Sequence, residues 1–138
     1  MSMDNDTPAP LFRMPVSVRW RDLDAFNHVN NSNFLTYLEE ARIRWFDSLD
    51  EEWVTEQTAP LLAAVQVNYR MPIPYPASVA VELHCQRLGN TSVTIGHRIT
   101  GEDGTTLYAD GHVVMVWVER ASGRPTALPD AVRRAAGG

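Results

Sequence analysis

The chain contains no lysine; its 12 basic residues are all arginine. Schiff-base chemistry on a lysine and a P-loop lysine are thereby excluded. Cysteine is almost as scarce. Cys85 stands alone, with no partner for an intramolecular disulfide, which fits a reducing, cytoplasmic setting. No apolar run approaches the roughly 18 residues that a membrane-crossing helix needs, so no membrane association is expected. There is no surplus of positive charge either. A net charge of −5 leaves little with which to neutralise phosphates, and nucleic acid is not expected as a partner. Residues 1–12 begin polar and acidic, contain prolines and lack the apolar core of a signal peptide; they read as a short disordered leader. Two motifs are missing as well: there is no G-x-S-x-G elbow and no H-E-x-x-H zinc helix.

What is present is enough for one folded domain. At 138 residues, 44% apolar and 21% charged, the chain can bury a core without staples, and residues 1–138 read as a single domain. The segment Pro15 to Trp20 alternates apolar and polar residues, as a strand does. Asp22 to Asn31 is rich in Asp and Asn and reads as a loop. Phe34, Tyr37 or Leu38, Ala41, Trp45 and Leu49 then recur at three- and four-residue steps. That spacing predicts an amphipathic helix from near Ser32 to near Leu49, capped by Asn31 or Ser32. Glu40 and Arg44 can pair on its surface.

Strand patterns follow. Val65 to Met71 alternates and is stopped by Pro72, Pro74 and Pro76. Val79 to Cys85 gives a second apolar face. Gly89-Asn90 suggests a hairpin into Val93 to Ile99. Asp103-Gly104 is a further turn, and a last strand runs from Thr106 to Glu119. Pro129 opens a short C-terminal helix, expected over residues 129–135. One strand, one helix and then four strands argue for an α+β fold, a curved antiparallel sheet wrapped around a single helix.

The segment that carries chemistry runs Val18-Arg19-Trp20-Arg21-Asp22-Leu23-Asp24-Ala25-Phe26-Asn27-His28-Val29-Asn30-Asn31, followed by Phe34, Tyr37 and Glu39-Glu40-Ala41-Arg42. It resembles the 4-hydroxybenzoyl-CoA thioesterase family of hotdog proteins. Their signature is an aromatic, D-x-D, two residues, a glycine and H-V-N-N, leading into a central helix with a Glu-Ala-Arg step. Tyr69-Arg70, Pro72 and Pro74-Tyr75-Pro76 look like that family's second strand and its exit. The resemblance implies a hotdog fold, in which a five-stranded antiparallel sheet surrounds one long central helix. It implies an acyl-CoA thioesterase working as a homodimer or homotetramer, with the site between two subunits. It also implies that no cofactor is needed, CoA being part of the substrate, and that no metal is bound.

By the same resemblance Asp24 is the catalytic carboxylate, acting as nucleophile or general base. A backbone N–H near Asn31 is the oxyanion donor, and His28 is a further catalytic candidate. Asn30, Tyr37, Tyr69 and Arg70 are the candidates for substrate binding. The physics of the segment agrees. A helix N-terminus offers free N–H groups and a positive dipole end to a thioester carbonyl. A carboxylate seven residues earlier, on a loop folding back over that end, can reach the carbonyl carbon or a water beside it.

Competing roles exist for several of these residues. Asp22 can brace the loop by pairing with Arg19 or Arg21. Asn30 and Asn31 can serve as cap and turn residues, and His28 can stiffen the loop. Asn27 stands where the family has glycine, and asparagine tolerates positive φ better than most residues. Some hotdog thioesterases carry the carboxylate on the central helix, so Glu39 and Glu40 are alternatives, although Arg42 and Arg44 are at hand to pair with them. His84, His97 and His112 fall in strand patterns without metal-ligand spacing and read as half-buried sheet residues. Cys85 reads as core, and Trp20, Tyr37, Trp45 and Trp117 as core or interface aromatics, one of which is placed to line an acyl pocket in the alternative reading. A hydratase motif of the type D-x-N-x-x-H fails at Asp24 and Asn27. A thioesterase acting on acyl carrier protein and a non-catalytic acyl-CoA-binding protein are the alternatives with the same fold.

Overall fold

A computed structural model of the chain describes residues 9–137. Its elements in order are β1 (Phe12–Ser17), a 3₁₀ turn (Trp20–Asp22), α1 (Asn31–Asp47), β2 (Thr58–Tyr69), β3 (Ser78–Leu88), β4 (Ser92–Gly101), β5 (Leu107–Glu119) and α2 (Asp130–Ala135). The five strands form one sheet in the order β1-β3-β4-β5-β2, and every neighbouring pair is antiparallel.

Period-two patterning decides which face is buried. Val79, Val81 and Leu83 of β3, Val93, Ile95 and Ile99 of β4, and Ala109, Val113 and Trp117 of β5 alternate along their strands. They share one core with Phe34, Leu38, Ala41, Trp45 and Phe46 of α1. The 17-residue helix therefore lies over one face of the sheet. Its apolar residues at three- and four-residue spacing meet the sheet's inward residues. Phe46 packs edge-on to Trp117 and stacks on Trp53, which closes the far end of that core. The other face is more polar and carries Glu82 and His84 of β3, Arg98 of β4, and Asp110 and His112 of β5.

Several sequence boundaries move. Leu11 and Phe12, at the end of the expected leader, are part of the fold. Residues 1–8 lie outside the described residues, but Leu11 N–H already bonds to the Leu83 carbonyl and Phe12 pairs with Leu83 in the sheet. The apolar Leu11-Phe12 pair has a core edge to pack on, and that decides the matter. The first strand accordingly ends at Ser17, not Trp20. Trp20 belongs to the 3₁₀ turn, where it is exposed instead of core, because Asp22 caps Arg19 and tightens the chain.

Strand β2 starts at Thr58, well before the expected Val65. Its Leu61-Leu62-Ala63-Ala64 run does not alternate, since these residues sit on an exposed sheet edge where neither face is strongly selected. Pro60 is tolerated for the same reason. The helix α1 ends at Asp47, two residues before Leu49. The C-terminal helix runs over Asp130–Ala135, with Pro129 as its N-cap. His97 is fully buried rather than half-buried.

Candidate active site

The loop between the 3₁₀ turn and α1 is a tight hairpin built by its own polar residues. Leu23 and Val29 pair as a lone antiparallel bridge. Asp24 N–H donates to the His28 carbonyl at 2.8 Å, and Asn27 N–H donates to the Asp24 carbonyl at 3.2 Å. Asn27 takes a positive φ of 62°, the conformation for which asparagine was noted above. Val29 N–H bonds to the carbonyl of Ile73, which ties the loop to the segment leaving β2.

Asp22 anchors the base of this hairpin. Its buried carboxylate accepts the Tyr37 hydroxyl at 2.7 Å, Arg19 N–H at 3.0 Å and Arg19 Nη2 at 3.1 Å. Its main-chain carbonyl accepts Asn30 N–H at 2.8 Å and Asn33 Nδ2 at 2.9 Å. Burial pushes the Asp22 carboxyl upward, but the bond from Tyr37 and then those from Arg19 outweigh it, so it ionises below the usual carboxylate range. The Tyr37 phenol is pushed far up, first by burial and then by the Asp22 carboxylate.

Asp24 is held at one oxygen only. Its Oδ1 accepts Phe26 N–H at 2.8 Å and His28 N–H at 3.3 Å. The other oxygen accepts no hydrogen bond among the described residues. Asp24 borders a cleft of about 270 Å³ whose other walls are His28, Val29, Asn31, Phe34, and Tyr69 to Pro72. Asn31 is the first residue of α1, and its N–H has no hydrogen-bond partner among the described residues. That is the expected condition of a first-turn donor. Asn30 supplies the cap: its side chain accepts Ser32 N–H at 3.0 Å and Ser32 Oγ at 2.9 Å.

The end of β2 forms the opposite wall. The Tyr69 ring meets Phe34 edge-on at 5.0 Å, and its hydroxyl donates to the Asn31 carbonyl at 3.2 Å. Arg70 reaches the cleft while its guanidinium is fixed on Asp110 Oδ1 at 3.0 Å, and Asn68 Nδ2 holds the same oxygen at 3.0 Å. Burial pushes the Asp110 carboxyl upward, but Asn68 and Arg70 together bring it below its ordinary value.

The structure thus brings Asp24, His28, Asn31, Tyr69 and Arg70 to one cleft. It does not bring Tyr37 or Asn30 there. Tyr37 is buried on the β1 side with its hydroxyl taken by Asp22, and the Asn30 side chain is occupied as a cap, so neither lines the cleft. Sequence reasoning missed Asp110, the residue that orients Arg70. Only the β2–β5 register, which pairs Asn68 with Asp110, reveals that partnership. It also missed Phe34, Met71 and Pro72 as walls. Among the described residues, no group of three or more His, Cys, Asp or Glu is placed to hold a metal ion, and no helix is long and apolar enough to cross a membrane.

The chain belongs to a known class. Residues 18–136 match the family model described as the thioesterase-like superfamily, and the chain is a member of that family. It is 28% identical over 120 residues to the long-chain acyl-CoA thioesterase FadM of Escherichia coli, covering 86% of this chain and 91% of FadM. Among solved structures it superposes on the PA2801 protein of Pseudomonas aeruginosa with a TM-score of 0.85 at 37% identity, covering 91% of this chain and 98% of the other. A Thermus thermophilus thioesterase solved with coenzyme A and Zn gives a TM-score of 0.79 at 37% identity, over 94% of this chain and 100% of that one.

Proposed function

We propose that this protein is a thioester hydrolase that cleaves acyl-CoA to the free acid and CoA at the Asp24 cleft. The observation that carries the reading is one juxtaposition. A carboxylate with one oxygen and a helix-start N–H that have no hydrogen-bond partner among the described residues border the same cleft. Thioester hydrolysis needs a group to attack the carbonyl carbon or activate water, and a donor for the oxygen that becomes negative. Asp24 supplies the first, as nucleophile or general base, and Asn31 N–H the second. As general base, Asp24 takes a proton from a water whose oxygen adds to the carbonyl carbon; as nucleophile, it adds its own oxygen and water then cleaves the resulting anhydride to free the acid and the carboxylate. In both routes the C–S bond breaks, and CoA leaves as its thiolate and takes up a proton. His28 flanks the attacking group. Tyr69 and Arg70 contact the substrate, with Arg70 held in place by Asp110.

Relatives named as acyl-CoA thioesterases, and a structural neighbour solved with coenzyme A, support CoA as the carrier. The reaction as proposed uses no cofactor and no metal. The fold reading that goes with it is a hotdog, with α1 as the central helix of a strongly curved sheet, in a cytoplasmic homodimer or homotetramer. The test is thiol release from short, medium, long, branched and aromatic acyl-CoAs by the wild type and by Asp24→Asn. Turnover by the wild type and a loss of about 100-fold or more in the variant are expected. An unimpaired variant would move the carboxylate to Glu39 or Glu40. A wild type inert on every acyl-CoA would shift the reading to an acyl carrier protein thioester or to binding without turnover.

A further inference from the structure

One main-chain carbonyl joins the two halves of the proposed reaction centre. Asp22 C=O accepts Asn30 N–H at 2.8 Å and the side-chain Nδ2 of Asn33 at 2.9 Å. Asp22 stands at the base of the loop that carries Asp24. Asn30 is the N-cap of α1, and Asn33 is the third residue of that helix. Asparagine is a weak helix former because its amide competes for nearby main-chain groups. Here the amide is turned out of the helix, to a carbonyl 11 residues earlier. Asn33 is half-buried and does not line the cleft. Its side chain thus ties the segment that supplies Asp24 to the segment that supplies Asn31, and leaves the substrate's place free.

The main chain of Asn33 makes a second tie. Its N–H donates to the Asn30 carbonyl at 2.8 Å. That carbonyl belongs to the same peptide group as Asn31 N–H, the donor assigned to the oxyanion. A trans peptide is planar, with its C=O and N–H pointing in opposite directions. Holding the oxygen therefore sets the direction of the N–H. Asn33 grips the oxyanion peptide with its main chain and the carboxylate loop with its side chain. The loop base is anchored separately, because Tyr37 and Arg19 bind the Asp22 carboxylate.

We infer that Asn33 is a positioning residue of the hydrolysis, holding Asn31 N–H at a fixed distance and angle from the Asp24 carboxylate. This rests on the reading of the Asp24 cleft given above. Both groups must meet one thioester carbonyl, Asp24 or its water at the carbon and Asn31 N–H at the oxygen. A displacement of about 1 Å between them is enough to cost about 100-fold in rate. The Asn33 side chain acts on that separation and not on substrate affinity.

The experiment is Asn33→Ala, which removes the side-chain donor and keeps the main-chain bond. Alanine is the better helix former, so α1 is not put at risk, and urea unfolding checks that. Thiol release is expected to show kcat lower by about 10- to 100-fold, with KM within about threefold of wild type. Hydrogen exchange at the Asn30 amide is expected to be about tenfold faster, because its acceptor has lost its second tie. Asn33→Leu, with an apolar side chain of the same branching, is expected to lose as much. Recovery of kcat in the leucine variant would overturn the inference, since packing and not the hydrogen bond would then be at work. A kcat of Asn33→Ala within about threefold of wild type would also overturn it, as would a raised KM at unchanged kcat or unchanged exchange at Asn30. Asp24→Asn, measured alongside, separates the two levels. Loss in Asp24→Asn with none in Asn33→Ala would sink the positioning role alone. An unimpaired Asp24→Asn, or a wild type inert on every acyl-CoA, would sink the reading of the cleft and the role of Asn33 with it.

Discussion

The Tyr37 hydroxyl donates to Asp22 Oδ2 at 2.7 Å, joining the second turn of α1 to the base of the loop that carries Asp24. The bond is buried and its acceptor is charged, so it belongs to the stronger class of protein hydrogen bonds. Tyr37→Phe is expected to cost about 1.5–3 kcal/mol in urea unfolding. The pH dependence has a definite sign. Asp22 ionises below its unfolded value, so its contribution is present above that value and is lost as pH falls through the folded one. Removing the hydroxyl raises the folded pKa, and the acid-unfolding midpoint of Tyr37→Phe is expected to move to higher pH. An unchanged midpoint would show that Arg19 alone holds the carboxylate down.

His97 should set a second pH dependence. It lies on β4 opposite Gly111 of β5, and its Nε2 reaches past that glycine to the Gln66 carbonyl at 3.1 Å. A carbonyl only accepts, so Nε2 carries the proton. A Cβ at Gly111 would stand 2.0 Å from the Gln66 oxygen, which is why the route is open only over glycine. Burial drives the His97 pKa down from 6.5 to about 4. Between those values the unfolded ring binds a proton and the folded ring does not, so stability rises with pH across that window. The total is on the order of 3 kcal/mol. Unfolding midpoints measured from pH 4 to 7 are expected to rise more steeply in the wild type than in His97→Gln, which has no titrating ring.

Asn27 offers a local test of the loop. With φ at 62°, it occupies a region where glycine is free of strain and β-branched residues are strongly disfavoured. Asn27→Gly is expected to leave stability within about 0.5 kcal/mol, and Asn27→Ala to cost about 1 kcal/mol. Asn27→Val should cost more and also lower thiol release, because Asn27 N–H closes the turn on the Asp24 carbonyl. Equal activity in the glycine and valine variants would detach this turn from the chemistry.

What could be read in advance followed the range of the interactions. The pairs named in advance lie within a few positions of one another: Arg19 with Asp22 at the loop, and Glu40 with Arg44 on α1. Short-range chemistry of this kind is visible in a sequence. Strands β3, β4 and β5 and helix α1 were legible from periodicity because one face of each is buried, and α2 was legible from Pro129. Strand β2 was cut short because Leu61 to Ala64 are exposed and have no face to select. Tyr37 was legible as a buried aromatic, but helical spacing does not say that its hydroxyl meets Asp22 there. Asp110 was invisible because its tie to Arg70 spans 40 residues and depends on strand register.

In the proposed reaction Asp24 performs two jobs with one side chain. Its Oδ1 is mortar in the hairpin, bound by two main-chain donors, and only the second oxygen is at liberty to meet a substrate. Deleting the whole carboxylate therefore confounds construction with chemistry: alanine at this position takes away the turn along with the reactive atom. Asparagine retains a carbonyl oxygen for Phe26 and His28 and replaces only the oxygen that is at liberty. The structural half of Asp24 thus survives in that variant, and the two halves can be separated by a single pair of substitutions.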